Sequence, residues 1–389
     1  MPTVLVTTTG EDRPGITAGL LEVLAASSAE VLDMEQVVIR GQLTLGLVTR
    51  FGEDDPVLKD LLYYGYQAGV EVQFEPIEGD EDRTDPHRSR YVVTIIGHTL
   101  SAAVFKAVAD AIAGHGANID RIVRLSTYPV RSYEFEVSGG SPDDMRRALL
   151  EVARTHQVDV AVQVLGLERR AKRIVVLDMD STLIQDEVID LLAEEAGVED
   201  RVKDITSRAM AGELDFSESL RERVALLEGM TVEQLERVKD RIRLTPGART
   251  FIRTLHRLGF KAAVVSGGFS YFTDWVAERL ALDHAHANEL EIVDGRLTGK
   301  LVGTIVDGPG KAELLRHIAE HDGIPREQVV AVGDGANDLD MLEAAGLGIA
   351  FNAKPIVRDA ADTALNVPYL DAILFFLGIR RDEVEANST

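Results

Sequence analysis

The chain contains no cysteine among its 389 residues. Disulfides and thiolate metal sites are therefore excluded, which suits a reducing compartment. It also lacks a long apolar run. The longest late one, AILFFLGI, falls far short of the roughly 20 residues that a membrane helix needs. Positive charge is scarce: 41 Lys and Arg face 65 Asp and Glu, for a net charge of −24. That balance argues against nucleic acid or an anionic membrane as partner. The opening MPTVLVTTTGEDRPG has neither the basic region nor the apolar core of an export signal. The expectation is a cytoplasmic protein. An acidic chain can still take an anionic substrate, provided that cations are gathered at one place.

At this length, with 45% hydrophobic residues, the chain exceeds one ordinary domain, and two or three are expected. The first 165 or so residues hold an internal repeat. TVLVTTTG reads as a strand and PGITAGLLEVLAASSA as an amphipathic helix. EVLDMEQVVIRGQLTLGLVTRF then gives two strands, PVLKDLLYYGYQAG a helix and VEVQFEPI a last strand. RYVVTIIG opens a second copy in the same order. Each copy is β-α-β-β-α-β, a ferredoxin-like unit, placed at 1–77 and 90–166. The acidic stretch Glu78–Ser89 reads as a linker. From Lys172 the rhythm becomes strand, helix, strand. IVVLD, KAAVVSGG, QVVAVGDG and GLGIAF lack polar alternation, as a doubly wound parallel sheet covered on both faces requires. A hairpin over ELEIVDGRLTGKLVG turns at Asp294-Gly295. Residues of about 185–244 are helical in pattern, and they sit where a cap over the strand ends would be placed. The fold class is thus α/β, with a third domain over 172–389.

Polar clusters mark the carboxyl ends of the predicted strands, where open α/β sheets bind ligands. They are DMDST, Ser266-Gly267-Gly268 and GDGAND, joined by GPGK at a helix start. Asp178, Asp180, Asp334 and Asp338 put four carboxylates at two strand ends. Such a cluster calls for a cation, and an all-oxygen set suits Mg²⁺. Asp334 and Asp338, four apart, share a face if the segment has begun a helix. Lys311 near a helix N-terminus is disfavoured by the dipole unless it faces an anion; a solvated surface lysine is the other reading. The Ser266 hydroxyl and the Gly267 and Gly268 amides suit a phosphate. Together these parts describe phosphoryl transfer, where catalysis is positioning and charge neutralisation.

DMDST, SGG, the lysine of GPGK and GDGANDLDM, in this order, resemble the motifs of the haloacid dehalogenase superfamily. The DxDST form with a helical cap is similar to the phosphoserine phosphatase family within it. The resemblance spans about Lys172 to Gly378. It implies hydrolysis of O-phospho-L-serine, the last step of serine biosynthesis, with Asp178 as nucleophile and Asp180 as general acid and base. It implies Mg²⁺ held by Asp178, the Asp180 carbonyl and Asp334, with Asp338 in support. Ser266, Gly267, Lys311 and Asn337 would hold phosphoryl oxygens. In the cap, Arg223 would take the substrate carboxylate and Glu187 its ammonium group. Read alone, Arg223 beside the stripe Leu220, Val224 and Leu227 is as compatible with a surface ion pair, and Glu187 with an acid in a first helical turn. Met210 and Phe216 line the pocket or simply fill the cap. The nine histidines and Trp275 carry no functional expectation, since no histidine has metal-ligand spacing.

GEDRPGITAGL, between the first strand and helix, resembles the signature of ACT domains, small-molecule sensors that commonly pair across a dimer. Asp12 can accept from an ammonium group, and Gly15 permits close approach to the amides of a helix start. The resemblance implies an amino-acid effector, L-serine as end product, and a homodimer. The second copy has lost the Asp-Arg-Pro-Gly element, so its Gly97 loop is expected to act only by completing a site at an interface. Two alternatives stay open: a phosphatase for another small phosphomonoester or for phosphoprotein, and an amino-acid-sensing regulator.

Overall fold

The computed structural model describes residues 2–27, 29–52, 55–77, 89–166, 169 and 171–386. Except for Ser89, the expected linker lies outside them. The chain divides into two compact units, Met1–Pro86 and His87–Thr389, each taken by itself.

The first unit follows the order read from the sequence. Its elements are β1 (Thr3–Glu11), α1 (Ile16–Ala26), β2 (Glu30–Ile39), β3 (Gln42–Arg50), α2 (Val57–Ala68) and β4 (Val70–Ile77). The sheet is antiparallel in the order β2-β3-β1-β4. Alternate residues of β1, Val4 and Val6 among them, are buried against Leu20, Leu24 and Leu61 of the two helices. That is the signature of a sheet with one covered face. β2 is an edge strand, and every one of its residues is exposed.

The second unit begins with the second copy: β5 (Arg90–Gly97), α3 (Ala102–Gly114), β6 (Ala117–Ser126), β7 (Arg131–Gly139), α4 (Pro142–His156) and β8 (Asp159–Val164). Its sheet runs β6-β7-β5-β8. Here the copies differ. Every residue of β5 after Arg90 is buried, so both faces of this strand are covered. Tyr91, Val93 and Ile95 meet α3 and α4. Ile96, Ala161, Leu125 and Val130 belong instead to the core of the large sheet that follows.

That sheet has seven strands: β9 (Ile174–Leu177), β10 (Lys261–Phe269), β11 (His284–Val293), β12 (Arg296–Val302), β13 (Val329–Gly333), β14 (Leu347–Phe351) and β15 (Thr363–Leu365). Their order is β12-β11-β10-β9-β13-β14-β15, parallel except for the β11–β12 hairpin. The hairpin turns at Asp294 (φ 51°) and Gly295 (φ 74°), as expected. The expected hairpin begins at Glu289, but β11 begins at His284 and first pairs in parallel with β10. The polar residues of HAHAN hid that stretch. β15 is too short to have been read.

Four helices form the cap: α5 (Val188–Ala196), α6 (Glu199–Met210), α7 (Phe216–Ala225) and α8 (Val232–Lys239). Capping boxes at Asp215/Glu218 and Thr231/Gln234 start α7 and α8, satisfying amides that a helix start leaves open. On one face of the sheet, Val175, Leu177, Val264 and Val330 pack with α9 (Ala248–Arg257) and α10 (Ser270–Leu280). On the other, Ile174, Val176, Ala263 and Ala331 meet α11 (Gly308–His321) and α12 (Leu339–Ala344). The chain winds outward from β9 in both directions, so the crevice at the carboxyl end of β9 is the topological switch point. Among the described residues, no helix is long and apolar enough to cross a membrane.

The second ferredoxin sheet is sewn to this sheet by polar contacts. Asp159 accepts from the Asn366 amide (2.9 Å) and the Asn366 side chain (2.6 Å). Thr363 donates to the Val160 carbonyl (3.1 Å) and Gln163 to that of Phe376 (2.9 Å). Arg169 pairs with Glu134, both side chains buried. Burial raises the Asp159 pKa to about 6, although the Asn366 hydrogen bonds oppose it.

Candidate active site

β9 ends at Leu177, and the next residue turns its side chain back on the strand end. The Asp178 carboxylate accepts from the Met179 amide at 2.8 Å and is almost fully buried. The loop Met179–Leu183 then closes on itself through Ser181 at φ 56°. It carries Asp180 past the strand end, where the Val188 amide donates to Asp180 Oδ1 (2.9 Å). Asp180 faces the Ser266–Gly268 turn. A Cβ on Gly268 would stand 2.8 Å from Asp180 Oδ2 and 3.0 Å from Ser266 Oγ. Only glycine lets both side chains approach there.

Lys311, in the first turns of α11, is completely buried. Its Nζ lies 2.8 Å from Asp178 Oδ1 and 2.7 Å from Asp338 Oδ1. It faces anions, so it is not a solvated surface lysine. Burial works against the Lys311 charge, but the two carboxylates outweigh it and hold the pKa above its ordinary value. Asp338 does not reach the site from a helical face shared with Asp334. Asp334 precedes a short 3₁₀ turn, Ala336–Asp338, and Asp338 folds back to accept from the Gly335 amide (2.9 Å). Gly333 leaves room for it: a Cβ there would meet the Asp338 side chain at 2.4 Å.

Asp178, Asp334 and Asp338 bring ligand oxygens within 4.8 Å of one another, against one lysine. The imbalance shows in their proton affinities. Burial, then Asp338, pushes the Asp178 pKa well above its ordinary range, with Lys311 opposing. Burial and Glu187 raise Asp180 to about 7. Burial, Asp338 and Glu187 raise Asp334 to about 7, opposed by the Thr182 hydrogen bond. A second cation would ionise them all. The donor set is oxygen throughout, which fits a hard divalent ion such as Mg²⁺.

The remaining expected residues fall at different distances from this centre. Ser266 is buried, and its hydroxyl accepts from the Gly268 amide at 2.9 Å. That amide is therefore occupied by its own turn, and Gly268 lies within β10, which runs on to Phe269, rather than at a helix start. Gly267 packs under Phe216 of the cap, whose ring would lie 2.9 Å from a Cβ at that position. Asn337 sits on the turn of Asp334, its side-chain oxygen against Gly335. Glu187, at the mouth, accepts from the Ser181 hydroxyl (2.6 Å); the protein around it and Asp190 raise its pKa. Arg223 is half-buried. Burial lowers its pKa, and the charges of Asp190, Glu187 and Asp180 oppose that shift. Arg223 thus lies near enough to Glu187 and Asp180 to feel their charges, while its Nε donates to the Ser219 carbonyl of its own helix (3.3 Å). The Met210 side chain lies outside the described residues.

Asp12 and Gly15 belong to the first compact unit, and Gly97 to the second. Asp12 is exposed, its amide donating to the Gly41 carbonyl (2.8 Å). Gly15 begins α1 at φ 98°. Gly97, in the other unit, ends β5 opposite Arg131.

The sequence reading missed two supporting residues. Thr182 donates to Asp334 Oδ1 (3.0 Å) and receives the Thr245 hydroxyl at its carbonyl (2.7 Å). Its place in DMDST was the available signal. Asn288 is buried and donates to the Gly267 carbonyl (2.8 Å), while its Oδ1 accepts from the Val306 amide (2.7 Å). It ties the Ser266 turn to the segment that leads into α11. Nothing local in HAHANEL marked it.

Comparison with known proteins adds a second line. Residues 175–343 match the family model of haloacid dehalogenase-like hydrolases, and residues 2–75 and 89–163 each match an ACT domain model. A phosphoserine phosphatase of Streptomyces coelicolor is 54% identical over all of this chain and 95% of its own length. The phosphoserine phosphatase SerB2 of Mycobacterium tuberculosis is 49% identical over 98% of this chain and 95% of its own. Among solved structures, a HAD family hydrolase from Salmonella enterica serovar Typhi superposes with a TM-score of 0.66 at 32% identity, covering 74% of this chain and 98% of that one.

Proposed function

We propose that this chain, which belongs to the phosphoserine phosphatases of the haloacid dehalogenase-like hydrolases and carries two ACT domains, hydrolyses O-phospho-L-serine through an aspartyl-phosphate on Asp178. The reaction would be the cytoplasmic last step of serine biosynthesis. The observation that carries the reading is one buried lysine shared by Asp178 and Asp338, beside a second aspartate whose pKa burial and Glu187 raise to about 7.

In the first half-reaction an Asp178 oxygen attacks phosphorus, and Asp180 gives its proton to the departing serine oxygen. In the second, Asp180 takes a proton from the water that attacks the aspartyl-phosphate. Phosphate leaves and both carboxyl groups are restored. A group with a pKa of about 7 can do both at neutral pH. Ser266, Gly267, Lys311 and Asn337 hold the phosphoryl oxygens. Asp178, the Asp180 carbonyl and Asp334 would hold Mg²⁺, with Asp338 supporting. Bound there, the ion supplies charge neutralisation for carboxylates and phosphoryl oxygens alike.

Arg223 and Glu187 choose the substrate: a guanidinium fork for the carboxylate, a carboxylate for the ammonium group. A peptide offers neither, so this pair favours a free amino acid over phosphoprotein. Arg223→Ala is expected to raise KM for phosphoserine by roughly tenfold or more, since a charge-assisted bond contributes about 1.5–3 kcal/mol. Phosphoethanolamine, which has no carboxylate, should be affected much less. Steady-state rates on both substrates check this, with phosphothreonine and a phosphopeptide alongside. Equal losses on the first two would remove Arg223 from its role, and a preferred phosphopeptide would replace the substrate.

The division at 1–77, 90–166 and 172–389, with the cap over about 185–244, is part of this proposal. So is a homodimer through the N-terminal domains. Its support is β2, an exposed edge strand with Val31, Leu32, Met34, Val37, Val38 and Ile39 all open to solvent. Such an edge is stable only when paired or covered. L-serine is the proposed effector, at the loop of Asp12 and Gly15. Gly15→Val should abolish a serine response while sparing basal turnover. A Cβ there meets nothing within 4 Å, so the φ of +98° is the only obstacle, a strain of about 1–3 kcal/mol. An unchanged serine response would leave this loop structural.

A further inference from the structure

The opposite end of the large sheet, at the start of β11, carries a second cluster of metal-ligating groups. β11 begins with His284 and His286, and α11 ends with His317, His321 and its C-terminal Asp322. These are four of the nine histidines of the chain. The expectation that no histidine has ligand spacing overlooked that His317 and His321 are four apart on α11, and the fold joins that segment to β11. Ligand atoms of His284, His321 and Asp322 all lie within 4.8 Å of one another.

The centre is the Asp322 carboxylate, whose side chain is 2% exposed. His284 Nε2 lies 2.7 Å from Oδ2, and His321 Nδ1 lies 3.1 Å from Oδ1. The two rings meet edge to face, with centroids 5.9 Å apart. His286 lies close enough to feel the charges of His284 and His317, so two more imidazoles flank the trio. Lys261 Nζ also binds Oδ1, at 2.6 Å, but its side chain is 43% exposed. It can turn into solvent when a cation arrives.

The geometry points to a second metal site, formed by His284, His321 and Asp322, for a borderline divalent cation of the Zn²⁺ type. Two imidazoles and one carboxylate are the donor mixture that Zn²⁺, Co²⁺ and Ni²⁺ prefer, whereas Mg²⁺ takes oxygen. The ion replaces the protons now shared with Asp322, and each ring carries its proton on the other nitrogen. His321 is largely exposed (68%), which leaves a way in and an open coordination position. Lys311 and His321 stand at opposite ends of α11, about 15 Å apart at the rise of an α-helix. The site is therefore separate from the carboxylate cluster. Its ion would clamp the end of α11 to β11.

The test is Zn²⁺ titration of the full-length protein in excess Mg²⁺, read by equilibrium dialysis and by the thermal midpoint. The wild type is expected to retain one Zn²⁺ equivalent and to melt higher with it, as is Asp334→Asn. His284→Ala and His321→Ala should each weaken Zn²⁺ by at least about tenfold and lose the thermal shift. Their Mg²⁺-dependent turnover should be unchanged, which shows them folded. Equal Zn²⁺ affinity in wild type and both histidine variants overturns the site. So does binding that disappears in Asp334→Asn, which would place the ion in the carboxylate cluster. A failure of either kind leaves the phosphatase reading untouched.

Discussion

Asp178→Asn will reduce phosphoserine turnover by at least about four orders of magnitude, the scale seen when a nucleophile is removed from an enzyme that depends on it. The fold should survive. The new side-chain oxygen can still accept from the Met179 amide, as Asp178 does at 2.8 Å, and Lys311 keeps Asp338 at 2.7 Å. Stability should rise in metal-free protein. Asp178 is held well above its ordinary pKa of 3.8 by burial and by Asp338. The folded chain therefore binds more protons than the unfolded one above that value, and stability falls as pH climbs through the window. The amide has no such proton to lose. With EDTA at pH 8 the variant should melt above the wild type, and the gap should close towards pH 4. Residual turnover above about 1% would rule out the covalent route.

The largest loss of stability is expected from Lys311→Met. The lysine is wholly buried, and two carboxylates share its ammonium group at 2.8 and 2.7 Å. Methionine fills the volume but leaves those acids facing each other with no cation. Breaking a buried pair from one side costs about 3–5 kcal/mol. The acids can escape only by taking up protons, so the deficit should be greatest at pH 8 and shrink towards pH 5, in melts run without metal. Turnover should fall by about a thousandfold or more, because a preorganised positive group on the phosphoryl oxygens is lost. Equal destabilisation at both pH values would mean that Lys311 acts through packing alone.

Much of this was legible in the chain because strand ends concentrate chemistry. DMDST, Ser266-Gly267-Gly268, GPGK and GDGAND are short, local and in order, and each lies where a strand or helix boundary could be read. The doubled β-α-β-β-α-β pattern was legible for the same reason. What escaped depends on pairs distant in sequence. The two ferredoxin copies read alike, and TVLVTTTG has an apolar run of its own in Val4, Leu5 and Val6. Only the folded chain separates them: burial alternates along β1, whereas β5 is covered on both faces. Asp334 and Asp338 converge through a turn stabilised by the Gly335 amide, which spacing alone does not distinguish from a helix. Asn288 and the histidines of HAHAN acquire meaning only beside Gly267 and α11.

The seam between β8 and β15 changes what kind of object the second ACT domain is. Asp159 and Asn366, Val160 and Thr363, Gln163 and Phe376 are each other's hydrogen-bond partners, and Ile96 and Ala161 share a core with Ile373 and Phe376. Cutting the chain at 171 would not free a finished catalytic domain. It would bare an apolar face and strand several polar groups, a surface that invites self-association. In the language of modular evolution, this piece is no longer a cassette. Exchanging it for another sensor would mean redesigning the interior of the enzyme that it adjoins.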